Sequence, residues 1–111
     1  MNKYHNKKTT LDGVVFDSRA EARRWAELQI LEKAGKISGL IQQPEYTLQD
    51  GFTHDGKKEL PIKYRGDFEY KDHTGQIITE DVKGFKTEVF RIKRKLFLAK
   101  FGKTHKLLIT K

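Results

Sequence analysis

The chain has 111 residues, 36% hydrophobic and 34% charged, so it predicts one domain with a modest core and a large wetted surface that self-association would help to cover. Its 23 Lys and Arg exceed 15 Asp and Glu to give a net charge of +8, which points to a polyanionic partner and to nucleic acid first. The lack of cysteine excludes disulfides, thiolate zinc sites and cysteine nucleophiles, and no apolar run is long enough to span a bilayer or act as a signal peptide, so a soluble, cytoplasmic protein without membrane contact is expected.

Residues 1–8 are polar and basic without periodicity and predict a flexible arm, with Lys7 and Lys8 as DNA-backbone contacts; one folded domain then spans 9–111. Asp12-Gly13 lies between short β-prone runs and predicts a hairpin. Ser18 precedes a helix-forming run over 19–34, whose apolar face includes Ala22, Trp25 and Ala26, and Gly35 stands at its stop. Residues 37–41 and 46–48 read as short extended pieces on either side of Gln42-Gln43-Pro44. Residues 49–58 read as a polar loop that turns at Asp55-Gly56.

Over 62–70, Ile62, Tyr64, Phe68 and Tyr70 alternate with Lys63, Arg65, Asp67 and Glu69, predicting one strand with an apolar and a charged face. After a turn at 72–75, residues 76–83 predict its hairpin partner, with Ile77, Thr79, Asp81 and Lys83 on one side and Ile78, Glu80 and Val82 on the other. Gly84 ends that strand. Residues 87–101 predict a second helix, with Val89, Ile92, Leu96 and Ala99 on its apolar side and Gly102 as its stop, and 106–110 predict a closing strand. The order of helix, three strands, helix and strand behind a short N-terminal β-hairpin implies an α/β fold with a mixed central sheet flanked by helices.

The acids carry the chemistry. Metal-assisted phosphodiester hydrolysis needs hard oxygen ligands that converge, and neighbouring strands supply them well. Asp67 and Asp81 can meet across the predicted hairpin, and Lys83, two residues beyond Asp81, projects from the same face. A lone Asp-x-Lys is common and also reads as two exposed charges on a strand. A one-residue bulge would exchange Glu80 for Asp81, although strand periodicity favours Asp81. Lys86, Arg91, Lys93, Arg94 and Lys95 follow this strand as candidate DNA-phosphate contacts, against the plainer reading of a solvated face. His5, His54, His73 and His105 are scattered without metal-ligand spacing.

Asp67, the turn, Asp81-Val82-Lys83-Gly84 and the element order together resemble the αβββαβ core of the PD-(D/E)XK (restriction-endonuclease-like) nuclease superfamily. More narrowly, Lys3-Tyr4-His5-Asn6, Phe16-Asp17-Ser18, Gln43-Pro44, Asp67-Phe68 and Glu80-Asp81-Val82-Lys83-Gly84 resemble a small phage and prophage family, domain of unknown function 1064. The superfamily also contains phage endonuclease I-type junction resolvases.

The resemblance implies a magnesium-dependent DNA endonuclease, with manganese able to substitute, without fixing the DNA substrate; branched or recombination DNA is the leading expectation, and a homodimer is expected because one small site cuts only one strand at a time. It implies Glu21, Asp67 and Asp81 as metal ligands, Lys83 as the catalytic lysine, and Gln43 and Glu80 behind them. For Glu21 a capping box with Ser18 competes with the ligand role. A non-catalytic nucleic-acid-binding module that keeps the fold is the alternative.

Overall fold

The computed structural model describes residues 9–11, 14–16, 18–83 and 86–110. The basic arm with Lys7 and Lys8, the Asp12-Gly13 turn and the Gly84 stop lie outside the described residues.

Strands β1 (Thr9–Leu11) and β2 (Val14–Phe16) pair antiparallel and lead into helix α1 (Arg19–Lys33). Ser18 starts α1 by accepting the Glu21 N–H on its side chain, and Gly35, at φ 76°, takes the left-handed conformation in which glycine carries no Cβ penalty. Next come β3 (Ser38–Gln42), β4 (Glu45–Gln49), β5 (Phe52–His54), β6 (Lys57–Glu59), β7 (Ile62–Arg65), β8 (Phe68–Lys71) and β9 (Ile77–Val82). Helix α2 (Glu88–Phe101) and strand β10 (His105–Thr110) close the chain.

The central sheet has the order β10-β9-β8-β3, in which β3, β8 and β9 are antiparallel neighbours and β10 runs parallel to β9. A parallel neighbour needs a crossover, and α2 supplies it. The sheet elements and the two helices therefore follow the expected order of helix, three strands, helix and strand in an α/β fold.

The sheet buries a different cluster on each face. Phe16, Ala22, Leu28, Phe68, Tyr70 and Ile78 form the α1-side core, with Trp25 stacked on Phe68 at 5.8 Å. Tyr46, Tyr64, Phe90 and Phe97 form the α2-side core.

Three local expectations are corrected. Residues 49–58 are not a plain loop: Asp55 and Gly56, at φ 49° and 72°, form a turn with two consecutive left-handed residues that joins β5 to β6. The expected strand over 62–70 is two strands, because β7 pairs with β4 while β8 joins the central sheet. The break falls at buried Gly66, whose N–H donates to the Pro44 carbonyl at 3.0 Å. A Cβ there would lie 3.1 Å from Thr79 Cγ2, so the crossing suits glycine. Beyond Gly66 the alternation changes face: Tyr64 is buried on the α2 side and Phe68 on the α1 side.

On α2, Val89, Ile92, Leu96 and Ala99 are exposed, while Phe90 and Phe97 are buried. Aromatic residues one heptad apart pack against Tyr46 and Tyr64, and their larger apolar area decides which face turns inward.

Candidate active site

The β8–β9 register sets Glu69 opposite Thr79 and ends with Phe68 opposite Glu80, and Asp67 lies just before β8. The Asp81 carboxyl is on the α2 side, where Tyr64 and Lys83 reach it, and the Asp67 side chain hydrogen-bonds to it there. The Asp67 N–H donates to the Glu80 carbonyl at 3.0 Å, and its Oδ2 accepts the Val82 N–H at 2.6 Å. Backbone and side chain of Asp67 are both stitched to β9.

Asp81 is only 1% exposed. The Tyr64 hydroxyl donates to its Oδ2 at 2.5 Å, and Lys83 Nζ lies 3.6 Å from the same oxygen. Lys83 Nζ also sits 4.9 Å from the centroid of the Phe90 ring, an attraction that helps to hold the ammonium over the site. Burial beside this carboxylate pushes the Tyr64 hydroxyl well above the ordinary phenol range, so it remains a donor at all physiological pH.

Asp67 is pushed up to about 8. Burial is the main cause, followed by a hydrogen bond to the Asp81 carboxyl and the charge on Asp81; the Val82 N–H acts in the opposite sense, and the charge of Glu21 raises it again. Below that pH the Asp67 carboxyl keeps its proton and can donate it to the Asp81 oxygen.

Glu21 is 3% exposed in the first turn of α1. The Ser18 cap uses its backbone N–H, at 3.1 Å, whereas its carboxylate acts on Asp67. The Ser18 half of the expected capping box is therefore present through the Glu21 backbone, and it does not occupy the Glu21 carboxylate. Gln43, at φ 53°, donates its N–H to the Asp67 carbonyl at 2.7 Å and so fixes the site's backbone.

Glu80 faces the other way. Its carboxylate is fully buried on the α1 side, where Arg24 Nε and Nη2 grip it at 2.6 and 3.0 Å and the Tyr70 hydroxyl donates at 2.8 Å. Strand periodicity thus separates the two adjacent acids as expected, and Asp81 is the one beside Asp67. The bond to Glu80 holds the Arg24 guanidinium above its ordinary range, while burial, then the same carboxylate, pushes Tyr70 up to about 12.

Among the described residues no three His, Cys, Asp or Glu side chains are gathered as a ready-made metal site. The donor chemistry nevertheless fits a hard divalent cation, because the half-buried Asp67 and the buried Asp81 bring carboxyl oxygens into contact, with the Glu21 carboxylate close enough to act on Asp67. A cation would relieve the repulsion that the Asp67 proton now relieves.

A family model described as Protein of unknown function (DUF1064) matches residues 1–111. The chain belongs to this family. No curated protein and no solved structure matches it. No described helix of this DUF1064 protein is long and apolar enough to cross a membrane.

A cleft of about 480 Å³ opens beside the acids, lined by Lys63, Tyr64 and Arg65 of β7, by Lys83, and by Phe90 and Lys93 of α2, among others. Of the predicted DNA contacts, Lys93 lines this cleft; Lys86, Arg91, Arg94 and Lys95 are exposed but do not line it.

Sequence reasoning missed Tyr64, Lys63, Arg65 and Arg24 as members of the site and its support. Tyr64 carried a usable signal, since a tyrosine within an apolar stripe must find a partner for its hydroxyl. The other three are brought in by pairings that local spacing does not specify.

Proposed function

We propose that this DUF1064 protein is a metal-dependent DNA endonuclease of the PD-(D/E)XK type, acting inside the host cell. The observation that supports it most is the contact between the carboxyls of Asp67, just before β8, and Asp81 on β9, with Lys83 two residues beyond Asp81 and 3.6 Å from its carboxylate. The sheet and helix order of the superfamily, which the sequence resembles, agrees with that placement.

Asp67 and Asp81, with Glu21, would hold Mg²⁺ or Mn²⁺. Such an ion supplies positive charge at a phosphoryl oxygen and makes water a nucleophile near neutral pH. The protein's own groups prepare that chemistry: the Val82 N–H orients Asp67, and the Tyr64 hydroxyl orients Asp81. The Lys83 ammonium stands where negative charge develops as the phosphodiester is attacked. One such site cuts one strand, so the enzyme acts as a homodimer on branched or recombination DNA.

The test is a cleavage panel of plasmid, duplex, flap and four-way junction with and without Mg²⁺ or Mn²⁺. Cleavage that needs metal and disappears in Asp81→Ala, while DNA binding persists, supports the reading. Equal cleavage by the variant refutes it. Salt-sensitive binding without cleavage of any substrate refutes it in favour of a binding module with the same fold.

A further inference from the structure

We infer that the cleft between β7 and the N-terminal turns of α2 holds one unpaired DNA nucleotide next to the bond at the Asp67–Asp81 pair, so that the preferred substrate has a single-stranded segment at the cut. The inference rests on the nuclease reading for the chemistry, but the cleft's own features carry it.

The cleft begins at the acids, because Tyr64 and Lys83 both line it and both contact Asp81 Oδ2. A strand bound there is continuous with the reacting centre. Lys63, Arg65, Lys83 and Lys93 come from three parts of the chain and surround the cleft with positive charge, against the single acid Glu45, which pairs with Lys63 at 3.7 Å. Thr87, which caps α2, also lines it, so the positive end of the helix faces the same space. Cations from separate elements are an arrangement for a phosphate backbone.

The wall is not polar throughout. Phe90 and Val89 line it, so part of the wall is apolar and can take the face of a sugar or base. A nucleotide supplies both parts, with phosphate for the cations and sugar and base for the apolar wall. Size selects between strand and duplex. A volume of about 480 Å³ suits one nucleotide-sized group. A paired base is held in the duplex stack and has to be flipped out to reach such a space, a cost that an unpaired base does not bear.

The test uses the full-length protein in EDTA, where nothing is cut, and fluorescence anisotropy with a blunt duplex, a forked duplex and RNA and DNA single strands of the same sequence. The forked DNA is expected to bind at least ~10-fold more tightly than the blunt duplex. Lys63→Ala combined with Lys93→Ala should abolish that preference and reduce the slope of log K against log salt by about 1 to 2. Glu45→Gln should tighten binding, because it leaves Lys63 to the phosphate.

Equal affinity for fork and blunt duplex overturns the inference, as does a preference that survives the double substitution or tighter binding of RNA than of DNA. The nuclease reading fails separately. If the wild type with Mg²⁺ cuts blunt duplex as fast as fork, the cleft assignment falls and the nuclease stands. If nothing is cut but the fork preference depends on Lys63 and Lys93, the reverse holds.

Discussion

Replacing Asp67 with asparagine should stabilise the metal-free protein at neutral pH while removing its activity. The carboxyl has an ordinary value near 4 and is pushed up to about 8 in the fold, mainly by burial and then by Asp81. Between those values the folded state keeps a proton that the unfolded chain releases. Stability therefore falls as pH rises through that window and levels off above it, with a limiting slope of about 1.4 kcal/mol per pH unit for one proton.

From pH 5 to pH 7 the loss comes to roughly 3 kcal/mol. Asparagine does not titrate, yet its oxygen can still accept the Val82 N–H and its amide can donate to Asp81. The variant should come closest to the wild type below about pH 4, where the carboxyl is protonated in both states, and its advantage should grow by roughly 3 kcal/mol between pH 5 and pH 7, or roughly 12 °C in Tm for a domain of this size. Urea or thermal unfolding in EDTA, followed by circular dichroism from pH 5 to 8, measures the difference between the two proteins and so cancels all other titrations. A difference that stays constant across this range, or a variant less stable at pH 7, refutes the reasoning.

The same coupling predicts that Mg²⁺ binding near pH 7 releases about one proton, measurable by calorimetry in buffers of different ionisation enthalpy; release near zero would show that Asp67 is already ionised. Ser18→Ala should cost about 1 kcal/mol of stability with little change in metal affinity, whereas Glu21→Gln should keep the cap and weaken metal binding. Equal effects of both on metal affinity, measured by titration calorimetry, would deny the separation of roles. Arg24→Ala should destabilise the fold by roughly 3 kcal/mol in urea unfolding, because it strips the grip from a fully buried Glu80 carboxylate, and adding Glu80→Gln should recover part of the loss. Gly66→Ala should cost about 1 to 2 kcal/mol, since its Cβ would press on Thr79 and shift Asp67; unchanged stability and cleavage would count against a tight crossing there.

The parts legible in sequence were those governed by short periods. Period-two alternation over 77–82 separated Asp81 from Glu80, and the Ser18 cap and Gly35 stop bracketed α1 within a residue. Harder to read was any change of partner. Tyr64 and Phe68 look equivalent in a continuous alternation, but β7 leaves the central sheet for β4, and only the non-local contacts of Pro44 and Thr79 with Gly66 mark where. On α2, Val89, Ile92 and Leu96 form as regular a stripe as Phe90 and Phe97 do. The choice between them depends on Tyr46 and Tyr64, distant in sequence, which offer aromatic surfaces to the larger rings. The cleft is illegible for the same reason, because Lys63, Lys83 and Lys93 converge only after β7 and α2 are placed.

The Arg24–Glu80–Tyr70 clasp has a consequence for how the chain avoids a wrong pairing. Strand β9 carries Thr79, Glu80 and Asp81 in succession, all buried, so hydrophobicity alone says little about which of them belongs on which face. A slip of one position would strand Glu80 among the α2-side tyrosines and thrust Asp81, with its shorter side chain, toward Arg24. Each misplaced carboxylate would then lack its reach or its cation, at a cost of several kcal/mol. The clasp thus acts as an alignment key: it penalises a slip of one position away from the register that sets Phe68 against Glu80. Assembly of the Asp67–Asp81 pair is in this sense checked from the opposite side of the sheet, by Arg24 and Tyr70.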